Sequence, residues 1–145
     1  MNQIRHPKFP NSSNDPFLGT SPIDRRYNCI AWAFGDNSRW YWPRPELYCY
    51  WPEDITCQET LDAFIELFQS IGYQVCNNGN MEKGVEKVAI YTDNAGKPTH
   101  AARQLEDGKW TSKLGESEDV SHSLNAMRNG FYGNVKVFMF RPRQN

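Results

Sequence analysis

The residue best suited to covalent chemistry in this chain is Cys29, within the stretch RYNCIAWA at residues 26–33. This stretch predicts a short, mostly apolar helix with Cys29 in its first turn. The first backbone N–H groups of a helix lack partners inside the helix and carry the positive end of its dipole. Both effects favour a thiolate and make the sulfur a better nucleophile. Cys29 is therefore the candidate nucleophile, and the alternative is a small buried apolar residue without a chemical role.

A cysteine nucleophile needs a base within hydrogen-bond reach. Of the three histidines, His6 lies in an irregular segment and His122 in a polar one, whereas His100 begins a predicted strand that would hold its ring rigidly. His100 is the candidate base, and the alternative is an ordinary histidine at a strand start, solvated or bound to a carbonyl. A metal site built from Cys29, His100 and His122 has no supporting spacing, so no metal and no cofactor is expected.

The hairpin after His100 determines which residue can orient the ring. With a two-residue turn at 107–108, Ser112 would lie opposite Arg103, on the face away from His100. With a three-residue loop and a glycine bulge, Ser112 lies opposite Ala102 on the histidine's face, because side chains alternate along a strand. The DGK sequence of the turn favours the bulged form, which makes Ser112 the predicted third residue. In the other register the candidates are Thr111, Lys113, Asp119 and His122.

This arrangement resembles the papain-like cysteine hydrolases, and in particular their compact NlpC-type branch. The resemblance rests on residues 22–34, which contain Cys29, on residues 86–114, which contain His100, and on the last strand. It implies a papain-like core and a Cys–His pair that hydrolyses or transfers the acyl group of a peptide or other amide-containing substrate. That branch usually carries His, Asn, Asp or Gln in the third position, so Ser112 departs from its pattern.

The expected reaction is attack of the Cys29 thiolate on a carbonyl carbon, with His100 accepting the proton. The backbone N–H of Cys29 would stabilise the oxyanion together with a second donor, Asn28 or Tyr27. Asn28 has the alternative role of capping the helix. Hydrolysis by water and transfer to an amine are both open outcomes.

Six large aromatic rings occur between residues 40 and 51, and prolines at 43, 45 and 52 argue against a regular element. One interpretation assigns Trp40 and Trp42 to the wall of a substrate groove beside Cys29. The other is a long loop packed down by its own rings. In the second case, segment 40–52 can be the contact surface of a non-catalytic binding module, which is the alternative to an enzyme.

The elements that must position these residues follow from periodicity. Residues 21–34 are expected to form a helix, or a turn leading into one, that ends at Gly35. A capping box at 56–59 and an apolar helical stripe predict a helix that ends at Gly72. Strands are predicted at 73–76, 87–92, 99–105, 109–114 and 135–140, and a helical turn at 121–127. Helices followed by an antiparallel meander indicate an α+β fold with N-terminal helices packed on a small antiparallel sheet.

Length and composition set the remaining limits. The 145 residues suit one domain, assigned to residues 21–145 after an irregular arm at 1–20. A net charge of −1 with dispersed Lys and Arg argues against nucleic acid as a partner, and no apolar run suits a membrane span. The first residues lack the apolar core of a secretory signal. A cytoplasmic protein with reduced cysteines is expected, and delivery by a dedicated secretion machinery and the oligomeric state stay open.

Overall fold

One eight-stranded antiparallel sheet organises the computed structural model, which describes residues 2–114 and 118–144. Its strands are β1 (Gln3–Ile4), β2 (Phe17–Gly19), β3 (Gln74–Cys76), β4 (Val85–Thr92), β5 (Pro98–Gln104), β6 (Trp110–Lys113), β7 (Asp119–His122) and β8 (Asn134–Pro142). Their spatial order is β1-β2-β7-β6-β5-β4-β8-β3. The three α-helices in the described part of the chain are short: α1 (Cys29–Phe34), α2 (Leu61–Gln69) and α3 (Leu124–Met127).

The expected fold, N-terminal helices packed on a small sheet, is therefore wrong. Helix α1 begins only at Cys29, because the Asn28 side chain caps it by accepting from the backbone N–H of Ala31 at 3.1 Å. At the predicted start of this helix, the hydroxyl of Ser21 instead donates to the Asp119 carboxylate. The helical part of the chain is smaller than its sequence pattern suggested, and the sheet is larger.

The N-terminal segment, expected to be an irregular arm, contributes the two strands at one edge of the sheet. Strand β1 pairs with β2, and Leu18 of β2 lies opposite Ser121 of β7. Strand β7 itself was not predicted, because its residues 119–122 are mostly polar. All four are buried nonetheless, since β7 lies between β2 and β6 inside the sheet.

Helix α2 confirms the amphipathic pattern that predicted it. Its cap is Thr60, whose hydroxyl accepts from the backbone N–H of Ala63 at 3.2 Å, and not the predicted Thr56. Gly72 follows the helix with φ of +99°, a conformation that favours glycine. The described helices include none that is long and apolar enough to cross a lipid bilayer.

Two apolar cores lie on the two faces of the sheet, because successive side chains of each strand point to opposite faces. The helix-side core contains Ile30 of α1 and Phe64 of α2. The arm-side core contains Phe17 from the N-terminal arm. Neighbouring residues of β4 divide between them, with Ile90 in the helix-side core and Tyr91 in the arm-side core.

Candidate functional site

The hairpin between β5 and β6 has the bulged form that the sequence predicted. The backbone N–H of Leu105 donates to the carbonyl of Lys109 at 2.7 Å, and Gly108 has φ of +88°. Arg103 lies opposite Thr111, so the same register places Ser112 beside the histidine face of β5. The prediction that Ser112 shares a face with His100 is confirmed.

Ser112 joins two histidines in a buried chain of hydrogen bonds. Its Oγ lies 2.9 Å from Nε2 of His100 and 2.7 Å from Nε2 of His122. The Nδ1 atom of His122 lies 2.8 Å from the carbonyl oxygen of Ser123. His100 and Ser112 have no exposed surface and His122 is 3% exposed, so these bonds are shielded from water.

The direction of each hydrogen bond from His100 to His122 follows from the last acceptor, the carbonyl oxygen of Ser123. A carbonyl oxygen only accepts, so Nδ1 of neutral His122 must carry the proton that bonds to Ser123. Nε2 of His122 is then the acceptor for the Ser112 hydroxyl, whose oxygen in turn accepts from Nε2–H of His100. The hydrogen-bond network thus assigns the tautomer of His100, and its Nδ1 carries a lone pair without a proton.

Both histidines are neutral at pH 7. Burial lowers the pKa of His100 well below its usual 6.5, and the charge of nearby His122 lowers it further. Burial lowers the pKa of His122 to about 4, against smaller opposing contributions from the Ser123 carbonyl and Asp15. The tautomer assignment for neutral rings therefore holds at physiological pH.

The lone-pair nitrogen of His100 has no hydrogen-bond partner within residues 2–114 and 118–144. The ring is held by Tyr132, which stacks on it at a centroid distance of 4.1 Å, and by the edge of Tyr91 at 5.2 Å. A buried polar atom without a partner costs on the order of 1–3 kcal/mol. The ring is fixed in place while its basic atom stays unused, which is typical of functional sites.

Cys29 is the first residue of α1 and its side chain is 5% exposed. Burial raises the pKa of its thiol to about 11. The backbone N–H groups of Ala101, Ile30 and Cys29 itself, and the charge of Lys113, act in the opposite direction but are outweighed. The predicted preformed thiolate is therefore absent in this structure, because desolvation exceeds the effect of the helix start.

The structure brings Cys29 next to strand β5 but forms no hydrogen bond between its sulfur and His100. The sulfur lies at the backbone N–H of Ala101, the residue that follows His100. Cys29 and Ala101 belong to the helix-side core, whereas the ring of His100 contacts Tyr91 of the arm-side core. The candidate nucleophile and the ring of the candidate base therefore lie on opposite faces of β5, and the structure does not bring Sγ of Cys29 and Nδ1 of His100 into contact.

The other candidates for the third position lie elsewhere. Lys113 and Asp119 lie opposite each other and alternate with Ser112, so they face the helix-side core. Tyr27 was a candidate oxyanion donor, but its hydroxyl donates a hydrogen bond to the Asp119 carboxylate, at 2.8 Å from Oδ2. His122 is the one alternative that joins the chain, through Ser112. No cluster of three His, Cys, Asp or Glu side chains arranged for a metal is present in the described part of the chain.

The side chain of Asn28 makes three structural hydrogen bonds. Its Oδ1 accepts from the backbone N–H groups of Ala31 and Tyr41, both at 3.1 Å, and its Nδ2 donates to the Tyr41 carbonyl at 2.6 Å. The amide therefore ties the aromatic segment to the start of α1. One of the two Nδ2–H donors is therefore committed to the Tyr41 carbonyl, and the capping alternative is the one observed.

Replacing Asn28 by alanine is expected to destabilise the protein by about 2–4 kcal/mol. The variant loses a helix cap and leaves buried backbone groups of Tyr41 unpaired. Urea unfolding followed by circular dichroism measures the change. Asn28→Asp is the comparison variant, because it keeps the accepting oxygen of the cap and replaces the donor to Tyr41 with a carboxylate oxygen. Equal stability of Asn28→Ala and the wild type would contradict this role.

The aromatic segment 40–52 packs mainly on helix α2. Trp42 contacts Phe64 at a centroid distance of 5.2 Å and donates Nε1–H to Glu59 at 2.8 Å. Trp51 contacts the same Phe64 at 5.3 Å. Trp40 is half-buried. Within the segment, Tyr41 contacts Tyr50 at a centroid distance of 4.9 Å, as the packed-loop interpretation expects. Trp42 packs on α2, and none of its described contacts places it beside Cys29.

Sequence reasoning missed how His122 and Tyr132 contribute to the site. His122 lies on the unpredicted strand β7, and Tyr132 lies in the connection before β8. Val120 is the one apolar residue of DVSH at 119–122, so this segment carries no polar and apolar alternation that would indicate a strand. The face of His122 follows only from the pairing of β7 with β6, where Val120 lies opposite Ser112.

The family comparison gives one match. A family profile described as "Domain of unknown function (DUF7689)" matches residues 18–140. Neither the curated proteins nor the solved structures contain a significant match. The expected membership in the papain-like hydrolases and their NlpC-type branch is therefore wrong, because the matching family is a different one and the sheet is larger than the small sheet expected.

Proposed function

We propose, for a chain that belongs to the DUF7689 family of domains of unknown function, that it is a cysteine-dependent hydrolase or acyl transferase. Cys29 is the nucleophile and His100 the general base. Its substrate is an ester, a peptide or another amide. The proposal rests on the unused basic nitrogen of His100 and on the position of Cys29 beside Ala101, the next residue of β5, and not on a resemblance to any characterised enzyme.

The observation that carries the proposal is the lone pair on Nδ1 of His100. The chain through Ser112 and His122 keeps the proton of the ring on Nε2, so the atom nearest the β5 backbone is the basic one. Nδ1 is buried and has no other partner among the described residues. A structural histidine would be expected to satisfy both nitrogens.

The proposed step moves one proton and exchanges one bond. As the bond between Cys29 Sγ and the carbonyl carbon forms, the thiol proton passes to Nδ1 of His100. Because the two groups lie on opposite faces of β5, this step requires α1 to rearrange against β5 so that the sulfur reaches the ring. The leaving group departs with the electron pair of its bond to carbon and takes a proton back from the ring. Water or an amine then attacks the thioester and restores the thiol.

Burial of Cys29 fits a thiol that ionises only during the reaction. Its raised pKa keeps it protonated at pH 7, so that proton removal and attack on the carbonyl occur together. The backbone N–H groups of Cys29, Ile30 and Ala101 surround the sulfur and are the available donors for developing negative charge.

Acylation by 4-nitrophenyl acetate tests this function. A small acyl donor is chosen because the Cys29 side chain is only 5% exposed. We expect a burst of nitrophenolate, and intact-protein and peptide mass spectrometry should find the acetyl group on Cys29. Exposed Cys57 serves as the reference thiol within the same molecule. A Cys29→Ser variant should lose the burst while Cys57 still reacts at its wild-type rate.

Acetylation confined to Cys57, with Cys29 unmodified, would contradict the proposal and favour the second candidate function.

That candidate is a non-catalytic binding module that uses segment 40–52. It is favoured by the exposure of two apolar side chains at the tip of the segment, Leu47 at 60% and Tyr48 at 99%. Exposed aromatic residues on a structured loop are typical of contact surfaces.

A further inference from the structure

A cavity of about 380 Å³ opens on the arm side of the sheet, apart from Cys29. It is within the size range of small-molecule sites. Its lining residues are Tyr91, Leu124, Arg128, Asn129, Asn134, Val135 and Phe138. They combine an apolar wall with a few polar groups, the usual composition of a ligand site.

A β-bulge shapes this cavity. Tyr91 of β4 lies opposite Val135 of β8, whereas Ile90 lies opposite Val137, so Lys136 is an extra residue in β8. Bulges bend a strand and re-aim its side chains, and they are frequent beside binding sites. Here the bulge leaves Val135 and Phe138 on the same face, where both line the cavity with Tyr91.

The rim of the cavity is preformed. The Oδ1 atom of Asn134 accepts from the backbone N–H of Asn129 at 2.9 Å, and Asn134 Nδ2 donates to Asn129 Oδ1 at 3.0 Å. These reciprocal bonds hold Asn129 at φ of +58°, a left-handed conformation. A ligand would therefore enter a site whose wall is already ordered, which lowers the entropic cost of binding.

The floor of the cavity carries a donor without an acceptor. Tyr91 is buried, and its hydroxyl has no hydrogen-bond partner in residues 2–114 and 118–144. Arg128, on the rim, forms no ion pair within the same residues and is close enough for its charge to lower the pKa of Tyr91, which burial raises. A phenol and a guanidinium that converge on one space are complementary to a carboxylate.

We propose that this cavity binds a small organic carboxylate with a compact apolar body. The carboxylate accepts from the hydroxyl of Tyr91 and from the guanidinium of Arg128. The apolar body packs on Leu124, Val135 and Phe138. Tyr91 also packs on the ring of His100, but carboxylate binding is measured without any reaction at Cys29, so the two proposals can fail separately.

Titration of the full chain with hexanoate, followed by amide NMR shifts, tests the site. Hexanoate should shift resonances of residues 124–135 in a saturable way. Hexan-1-ol, which keeps the apolar body, and inorganic phosphate, which keeps only the charge, should each bind at least 10-fold more weakly. Equal binding of hexan-1-ol or of phosphate, or no saturable shifts with hexanoate, would overturn the proposal.

Variants locate the binding. Arg128→Gln should weaken hexanoate about 10- to 100-fold, the range expected for a hydrogen bond to a charged group. Lys136→Gln removes an exposed charge nearby that does not line the cavity, and should leave the affinity unchanged. Tyr91→Phe should weaken hexanoate while melting no lower than the wild type, because its hydroxyl lacks a partner in the free protein. Wild-type affinity in Arg128→Gln would overturn the assignment.

Discussion

His100→Gln is expected to lower the rate of Cys29 acylation by 4-nitrophenyl acetate about 100- to 10,000-fold, the usual contribution of a general base. The glutamine amide can still donate to Ser112, as Nε2–H of the imidazole does, but it offers no basic atom to the thiol. The measurement is the burst rate, with the acetylated residue identified by mass spectrometry.

Two comparisons separate loss of the base from loss of the fold. The acetylation rate of exposed Cys57 in the same molecule should not change, because this thiol lies outside the site. Ser112→Ala should give an intermediate loss, since the base remains but no hydroxyl holds its proton on Nε2. Wild-type acylation of Cys29 in a folded His100→Gln protein would exclude His100 as the base.

Acid is expected to destabilise this protein between about pH 6.5 and pH 4. His122 has a folded-state pKa of about 4 against an ordinary value of 6.5, and the pKa of His100 is also lowered well below that value. In this window the unfolded chain binds more protons than the folded one, so the free energy of unfolding falls as the pH falls. The contribution of His122 alone to this decrease is about 3 kcal/mol. The free energy of unfolding of a native protein is typically about 5–15 kcal/mol, so this is a large part of it.

Urea unfolding at a series of pH values measures this effect. His122→Gln should remove a large share of the decrease in unfolding free energy between pH 7 and pH 4.5. His6→Gln is the matched control, because His6 does not belong to the hydrogen-bond chain of His100, Ser112 and His122. Asp36, whose pKa is lowered to about 2 chiefly by the Ser38 hydroxyl, loses its contribution only below pH 4, so the two windows separate. An unchanged pH dependence in His122→Gln would rule out His122 as a source.

Local patterns in the sequence predicted the parts of the fold that are set locally. The apolar stripe of α2 has one interpretation at helical spacing, and the structure confirms it. The DGK turn fixed the register that places Ser112 beside His100, because a one-residue change would have reversed every side chain. These features depend on a few neighbouring residues and can therefore be predicted from the local sequence alone.

The parts that failed depend on distant residues. Strand β7 is polar, and its burial follows only from its position between β2 and β6. The pKa of Cys29 depends on how tightly α1 packs on β5, which no spacing in the sequence reveals. Two short motifs suggested a known hydrolase family, but motifs of this length constrain neither the number of strands nor their order.

The pairing of β2 with β7 brings together residues about a hundred positions apart, as with Leu18 and Ser121. During synthesis, the β1–β2 pair at the N-terminal edge of the sheet therefore cannot join β7 until most of the chain has left the ribosome. Closing so long a loop is slow, because its entropy is lost before the contacts form. The first twenty residues are thus expected to pair with β7 last. The packing of Phe17 against the ring of His122 would then be the final step of folding.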